Sequence, residues 1–262
     1  MASNWCSRFV GALIFVKPIE KLFSYGWGRH HRETGMPRPG RFSFSAPGYV
    51  RDSASVFKFD KKVRMYGRDE LLFAEGDPAF YVYKLVSGVV ICFRSLAAGR
   101  RSIYAFRFTG DVFGFDGDGE RQFSSLAISN VSVRVARRDA VFLRAAADRD
   151  ASQELLAASY QELQRAQRRA LRLSMNARQR IASFLVEMSE RLGQPDNLEL
   201  PMTRQDIADY LGLTIETVCR TFTRLDRAVI GSHTPRHVAL LDPPALRLII
   251  DEPAGGRADI RG

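Results

Sequence analysis

The stretch that most restricts this chain's fold is "TRQDIADYLGLTIETVCRTFTRL", residues 203–225. It holds two short amphipathic segments separated by Leu211-Gly212-Leu213. In the first, Thr203 and Asp206 have the spacing of an N-terminal capping pair, with Pro201 just ahead. Gly212 can take the positive φ that a tight turn between helices demands, and Thr214 can cap the second helix. Val218, Phe222 and Leu225 fall at i, i+4 and i+7 and make one apolar stripe, which Ile207 and Leu211 of the first helix can meet. This spacing predicts a helix-turn-helix.

The other face of the second helix carries Glu216, Thr217, Cys219, Arg220, Thr223 and Arg224. A helix entering a major groove presents such groups to base edges. Arg220 can fork onto guanine O6 and N7, and Glu216 can accept from a cytosine amino group. Residues 216 and 220 lie one turn apart, so each can orient the other. Thr217, Thr223 and Arg224 suit phosphate or methyl contacts. Thr203 and Arg204, at the start of the first helix, are expected near a phosphate. After Ile230, "GSHTPRHVALL" reads as a hairpin that would make the unit winged, and "DPPALRLII" (242–250) as a closing helix.

Net charge supports an anionic partner only loosely. The chain of 262 residues has a formal charge of +10, which favours nucleic acid or a membrane surface. Yet residues 177–250 carry nine basic and nine acidic residues. DNA binding must therefore rest on where those charges sit.

Upstream the pattern changes. From Val56 to Leu143, short aromatic and aliphatic runs alternate with breaks at "EGDP", "SG", "AAGR", "TGD" and "SN". That spacing predicts a compact antiparallel β-barrel or sandwich. The acids of "EGDP", Glu75 and Asp77, read as turn residues. From Ala151 the period turns helical. Leu156, Leu163, Ala170 and Ala177 are seven apart, and Ser159, Ala166 and Leu173 form the offset row. Such a seam serves a dimer of two helices or packs one helix onto its own domain. A further helix, "ARQRIASFLVEMSERLG" (177–193), stops at Gly193.

Residues 1–55, rich in Gly, Pro, Arg and Ser, read as a poorly ordered extension, with Met36 an alternative start. The expected domains are that extension, a β-domain over 56–150, a dimerisation helix over 151–176, a winged helix-turn-helix over 177–250 and a tail over 251–262. The fold class is α+β. The run "FVGALIFV" (9–16) is followed by "KPIEK" and not by a small-residue cleavage site, which argues against secretion. No apolar run reaches the length of a membrane span. Cys6, Cys92 and Cys219 lie far apart, which fits a reducing cytoplasm and no disulfide framework. There is no HExxH, no P-loop and no nucleophile–base pair, so catalysis is not expected.

The string "RQDIADYLGLTIETVCRTFTRLDRAVI" (204–230) resembles the DNA-binding signature of the CRP/FNR superfamily of bacterial transcription regulators, within it the FixK-type branch. "FAEGDPAFYVYKLVSGVV" (73–90) and "RRSIYAFRFTGDVFGF" (100–115) resemble its sensory β-roll. The resemblance spans roughly residues 56–250. It implies a cyclic-nucleotide-binding type of β-roll (a double-stranded jelly roll), a long dimerisation helix and a C-terminal winged helix. It implies a homodimer on double-stranded DNA that works with RNA polymerase. The site would have the form TTGAT-N4-ATCAA, with Glu216 and Arg220 on bases and Ile215 on a thymine methyl. Control of microaerobic respiration and nitrogen-metabolism genes would follow.

The resemblance also raises effectors. An iron–sulfur cluster of the FNR type needs four cysteine ligands, and the chain has three. A cyclic nucleotide would need a Glu for the ribose and an Arg-Ser pair for the phosphate. Here Asp116 stands near the first place and Gln122-Phe123-Ser124-Ser125 replaces the pair. Arg121 lies close by, while Asp116, Asp118 and Glu120 would repel phosphate. Haem would need an axial His or Cys, but the four histidines lie outside the β-roll and Cys92 reads as a small buried hydrophobe. His233 and His237 are expected beside phosphate, not metal. The expected reading is a regulator with no cofactor and no effector; the alternative is a ligand-gated sensor with a small effector in the β-roll. Cys219 usually has a serine counterpart in the family. It either replaces that serine by shape, or switches binding off when oxidised, since Arg220 and a helix N-terminus favour a thiolate.

Overall fold

The computed structural model describes residues 55–115, 119–225, 229–232 and 234–252. The extension before Ser55, with Met36, Cys6 and the 9–16 run, lies outside them, as do Asp116, Asp118, His233 and the tail from residue 253.

Among the described residues, the N-terminal part is two facing four-stranded sheets. Eight strands build them: β1 (Arg64–Tyr66), β2 (Leu71–Phe73), β3 (Tyr81–Ser87), β4 (Val90–Ser95), β5 (Arg101–Arg107), β6 (Val112–Phe113), β7 (Ser124–Ala127) and β8 (Val131–Arg137). One sheet runs β1-β8-β3-β6 and the other β2-β7-β4-β5, with antiparallel neighbours. β8 shows why the residues choose this form, because Val131, Val133 and Val135 point inward while Ser132 and Arg134 are only partly covered. The space between the sheets is filled by Leu72, Phe73, Tyr83, Leu85, Val90, Cys92, Phe113 and their neighbours. Cys92 is fully buried, and burial pushes its thiol up. The β3–β4 hairpin turns at Gly88, whose φ is 90°. A Cβ there would lie 2.3 Å from the Asn130 carbonyl oxygen, so only glycine fits. In the "EGDP" turn, Asp77 accepts from the Ala74 N–H at 2.7 Å. Glu75 also pairs with Arg94 at 2.7 Å.

The β-pattern ends earlier than the sequence predicts. β8 stops at Arg137, and a helix, α1 (Arg138–Ala147), follows. Asp139 accepts from the Ala140 N–H and pairs with Arg137 at 2.7 Å. Arg137 first, then that N–H, hold its carboxyl down to about 2. Val141 on the inward face seals a small core with Val56, Val82, Ala136 and Ala151.

Next comes α2 (Arg149–Arg172), 24 residues, opened by Asp148 accepting from the Ala151 N–H. Leu156, Leu163 and Leu173 are 69%, 53% and 70% exposed, and Ala166 and Ala170 are exposed with them. The seam is thus uncovered in the single chain, not packed onto its own domain. It also ends sooner than the heptad count predicts. Helix α2 stops at Arg172, and Ala177 belongs to α3 (Ala177–Leu192). Asn176 and Gln179 form a reciprocal capping box that starts α3 afresh.

The C-terminal part is α3, β9 (Asn197–Glu199), α4 (Arg204–Leu211), α5 (Ile215–Leu225), the hairpin of β10 (Ile230–Ser232) and β11 (His237–Leu240), and α6 (Pro243–Asp251). The wing is three-stranded, β10-β11-β9. β9, three residues around buried Leu198, is too short for its alternation to show in the sequence.

The two parts share one core. Ile103, Phe106 and Phe108 of β5 and the loop after it join Phe184, Ile207, Tyr210 and Phe222 in a single buried cluster. A bulge makes this possible. The β4–β5 register shifts so that Cys92 faces Ala105 and Phe93 faces Ile103, leaving Tyr104 as the extra residue. An extra residue reverses the alternation beyond it, so Ile103 and Phe106 share a face although they are three apart.

Candidate nucleic-acid interface

Helix α4 begins with a capping box. The Thr203 hydroxyl accepts from the Asp206 N–H at 3.1 Å, and Asp206 Oδ2 accepts from the Thr203 N–H at 2.7 Å. The helix ends at Gly212 in the left-handed region, φ 65°. Two residues later the Thr214 hydroxyl accepts from the Thr217 N–H and starts α5. Along α5, Val218, Thr221, Phe222 and Leu225 are buried, the i, i+3, i+4, i+7 set of a one-sided helix. Glu216, Cys219, Arg220, Thr223 and Arg224 are exposed, Thr217 is half-buried, and Ile215 exposes an apolar side chain at the helix start.

The polar face therefore stands in solvent, while the stripe below fastens it to the domain. The Glu216 carboxyl is held below its usual range by its own backbone N–H first and the Thr214 hydroxyl second, with Arg220 adding a smaller pull. It is an anion ready to accept. Thr223 donates to the Cys219 carbonyl at 3.1 Å, and Thr217 shares a hydroxyl contact with Thr214 at 3.0 Å. Both threonines keep acceptor capacity.

Arg204 is placed differently from its sequence reading. Its guanidinium lies 3.3 Å from the centroid of the Phe222 ring. Burial draws its pKa down to about 10. Its Nη1 is buried with no hydrogen-bond partner among the described residues. Stacking on an aromatic face outweighs the outward pose that a helix-start arginine suggests. The Thr203 hydroxyl is likewise committed to its cap.

Three arginines that the sequence reading missed hold this unit in place. Arg180 on α3 donates to the carbonyls of Leu173, Met175 and Leu211, each at 2.9 Å. It so joins the end of α2 to the end of α4, where helix C-termini favour a cation. Arg172 is buried and bonds Tyr210 Oη at 2.9 Å and the Glu187 carboxylate. Arg101 on β5 spans Asp206 and Asp209 of α4. The bonds that tie Arg180 to Leu211, Arg172 to Tyr210 and Arg101 to Asp206 and Asp209 connect residues far apart in sequence, so no local motif could reveal them.

The β-roll side is occupied by its own charges. Arg107 makes a bidentate pair with Glu162 of α2 at 2.6 and 2.8 Å. Arg165 bridges Glu162 and Asp111, and Arg191 reaches Asp111 and the Phe106 carbonyl. Burial pushes the Glu162 carboxyl up, but Arg107 and Arg165 outweigh it and leave it below its usual range. A cleft of about 690 Å³ runs beside this network between β5, α2 and α3, and Tyr104, Arg169 and Tyr210 line it too. Arg121, which lies close to the replaced Arg-Ser pair, is 3% exposed. It donates to the carbonyls of Gly114 at 2.8 Å and Tyr81 at 2.5 Å, with its head 4.2 Å from the Phe73 ring centroid. It serves the β-roll's own backbone. His237 sits exposed on β11.

A β-roll, a long helix and a winged helix-turn-helix define a DNA-binding transcription regulator, not an enzyme. Comparison with known proteins agrees. A cyclic nucleotide-binding domain profile matches residues 63–148 and a Crp-like helix-turn-helix domain profile residues 179–249. The nitrogen fixation regulation protein FixK of Azorhizobium caulinodans is 40% identical over 190 residues, 70% of this chain and 77% of that protein. FixK of Rhizobium meliloti is 37% identical over 187 residues, 71% of this chain and 85% of that one. The solved structure of FixK2 from Bradyrhizobium japonicum superposes with a TM-score of 0.68 at 36% identity, covering 72% of this chain and 96% of that one. The chain belongs to the CRP/FNR superfamily, in its FixK-type branch.

Proposed function

We propose that this protein is a cytoplasmic homodimeric activator that reads a TTGAT-N4-ATCAA-type palindrome and governs microaerobic respiration and nitrogen-metabolism genes with RNA polymerase. The observation that carries the proposal is the outward face of α5, with Glu216 and Arg220 exposed one turn apart above a buried stripe. Ile215, Thr217, Thr223 and Arg224 flank them, Ile215 against a thymine methyl. Thr203 and Arg204, at the start of α4, stand near a phosphate, with the Thr203 hydroxyl also serving as the cap and the Arg204 guanidinium on the Phe222 ring. Relatives named as nitrogen fixation regulators support the target class. The protein acts without an iron–sulfur cluster or nucleotide effector. Three cysteines fall short of the four ligands, and Arg107, Arg165 and Arg191 are already matched by Glu162 and Asp111.

In vitro selection of bound DNA tests this. The wild type is expected to enrich the palindrome. Arg220→Ala is expected to lose about 1–3 kcal/mol of discrimination at one base position of each half-site and to keep the others. A variant with undiminished preference at every position would remove Arg220 from the reading.

Cys219 stands exposed on that same face. Oxidation there would add bulk and negative charge against phosphate. Peroxide is expected to weaken DNA binding by the wild type and to spare Cys219→Ser; equal loss in both would exclude a thiol switch.

A further inference from the structure

Helix α5 is held by α4, and α4 is held by the β-roll. Asp206, Asp209 and Tyr210 lie at i, i+3 and i+4, so they share one face of α4. That face meets β5 at two points. Tyr210 packs on Phe106 with ring centroids 4.9 Å apart. Arg101, at the first position of β5, forks onto both acids. Its Nη2 donates to Asp206 Oδ1 at 2.5 Å and its Nε to Asp209 Oδ2 at 2.8 Å. The acids are only 6% and 12% exposed, and the arginine side chain 30%. The neighbouring face of α4, with Ile207 and Leu211, belongs to the core shared with α5, which Tyr210 also joins.

Asp206 is doubly used. Its Oδ2 closes the cap at Thr203, by 2.7 Å bonds from both the N–H and the hydroxyl, while its Oδ1 takes Arg101. The guanidinium is thus bonded to the residue that fixes the first turn of the helix-turn-helix. A planar fork on two carboxylates restricts both distance and rotation, which a lysine cannot do.

We infer that Arg101 is a positioning residue for DNA recognition. By clasping Asp206 and Asp209 it sets the angle at which the β-roll presents α4, and so α5, to the duplex. In a two-headed protein that angle decides how far apart the two reading helices stand, and half-site spacing follows from that distance. Arg220 chooses bases; Arg101 chooses spacing. The inference rests on the homodimeric palindrome reading.

The test compares binding to palindromes with spacers of four, five and six base pairs, and to sites with substituted half-site bases. Wild-type protein without any spacer preference would sink the palindrome reading itself. Given that preference, Arg101→Ala is expected to bind the four-base-pair site about tenfold more weakly, as loss of a charge-assisted hydrogen-bonded pair implies. It is also expected to flatten the spacer preference while leaving base discrimination within a half-site unchanged. A merely stabilising contact would lower the folded fraction and would not touch the ratio between spacers. Asp209→Asn leaves the Asp206 cap intact and is expected to shift that ratio the same way by a smaller factor, which guards against misfolding of the first variant. Wild-type spacer preference in either folded variant overturns the proposal.

Discussion

A Leu163→Glu, Ala170→Glu protein is expected to sediment as a monomer and to bind the palindrome about 10²- to 10⁴-fold more weakly, the avidity that linking two sites supplies. Helix α2 explains the size of the effect. Three of its charges face inward, where Glu162, Arg165 and Arg172 bond the β-roll and α3. Its outward side carries Leu156 and Leu163, with Leu173 just past its end, all more than half exposed beside the small Ala166 and Ala170, while Leu155 turns inward. A contiguous apolar stripe of this kind marks an interaction surface. Alanines between leucines allow a second helix to approach closely. A carboxylate in each of two seam layers would have to be buried against its symmetry mate, a cost that desolvation and repulsion make prohibitive. Neither residue is packed inside its own chain, so the folded monomer and its thermal midpoint should survive. An unaltered dimer with unaltered affinity would move the interface elsewhere.

Where structure is local, the sequence shows it. The caps at Thr203 and Thr214, the left-handed Gly212 and the α5 stripe are decided within a few residues of each other, and all appear in place. Where a distant contact decides, the sequence does not. "RRDAV" continues a β-pattern on paper, but the carboxylate of Asp139 and the pocket around Val56 turn it into α1. Ala177 extends a heptad on paper, but the Asn176–Gln179 box breaks the helix first. Strict alternation along "RSIYAFRF" would place Ile103 and Phe106 on opposite faces. The Tyr104 bulge places both toward the DNA-binding part. The ring contact of Arg204 with Phe222, eighteen positions on, is likewise invisible in the local pattern. The candidate site was therefore visible in α5 and invisible in the arginines that hold it.

The shared core carries the second large effect. Phe184 on α3 is completely buried, with ring centroids 6.3 Å from Phe106 of the β-roll and 6.0 Å from Tyr210 of α4. It thus completes an aromatic trio in which Phe106 and Tyr210 also meet directly, at 4.9 Å. Truncation to alanine removes a ring from a site closed on all sides, and a cavity of that kind costs about 3–5 kcal/mol. Domains are stable by only about 5–15 kcal/mol, so the variant should unfold at a midpoint lower by roughly 6–20 °C, at about 2–4 °C per kcal/mol for a chain of this size. Phe184→Leu keeps most of the volume and should lose much less. Calorimetry also reads the geometry. Because Phe106, Phe184 and Tyr210 sit in one continuous cluster, the wild type should melt in a single transition, and Phe184→Ala should either lower it or split it in two. A loss below about 1 kcal/mol, with one unshifted transition, would mean that the site collapses around the gap and that the β-roll and the helix-turn-helix do not depend on this contact for their alignment.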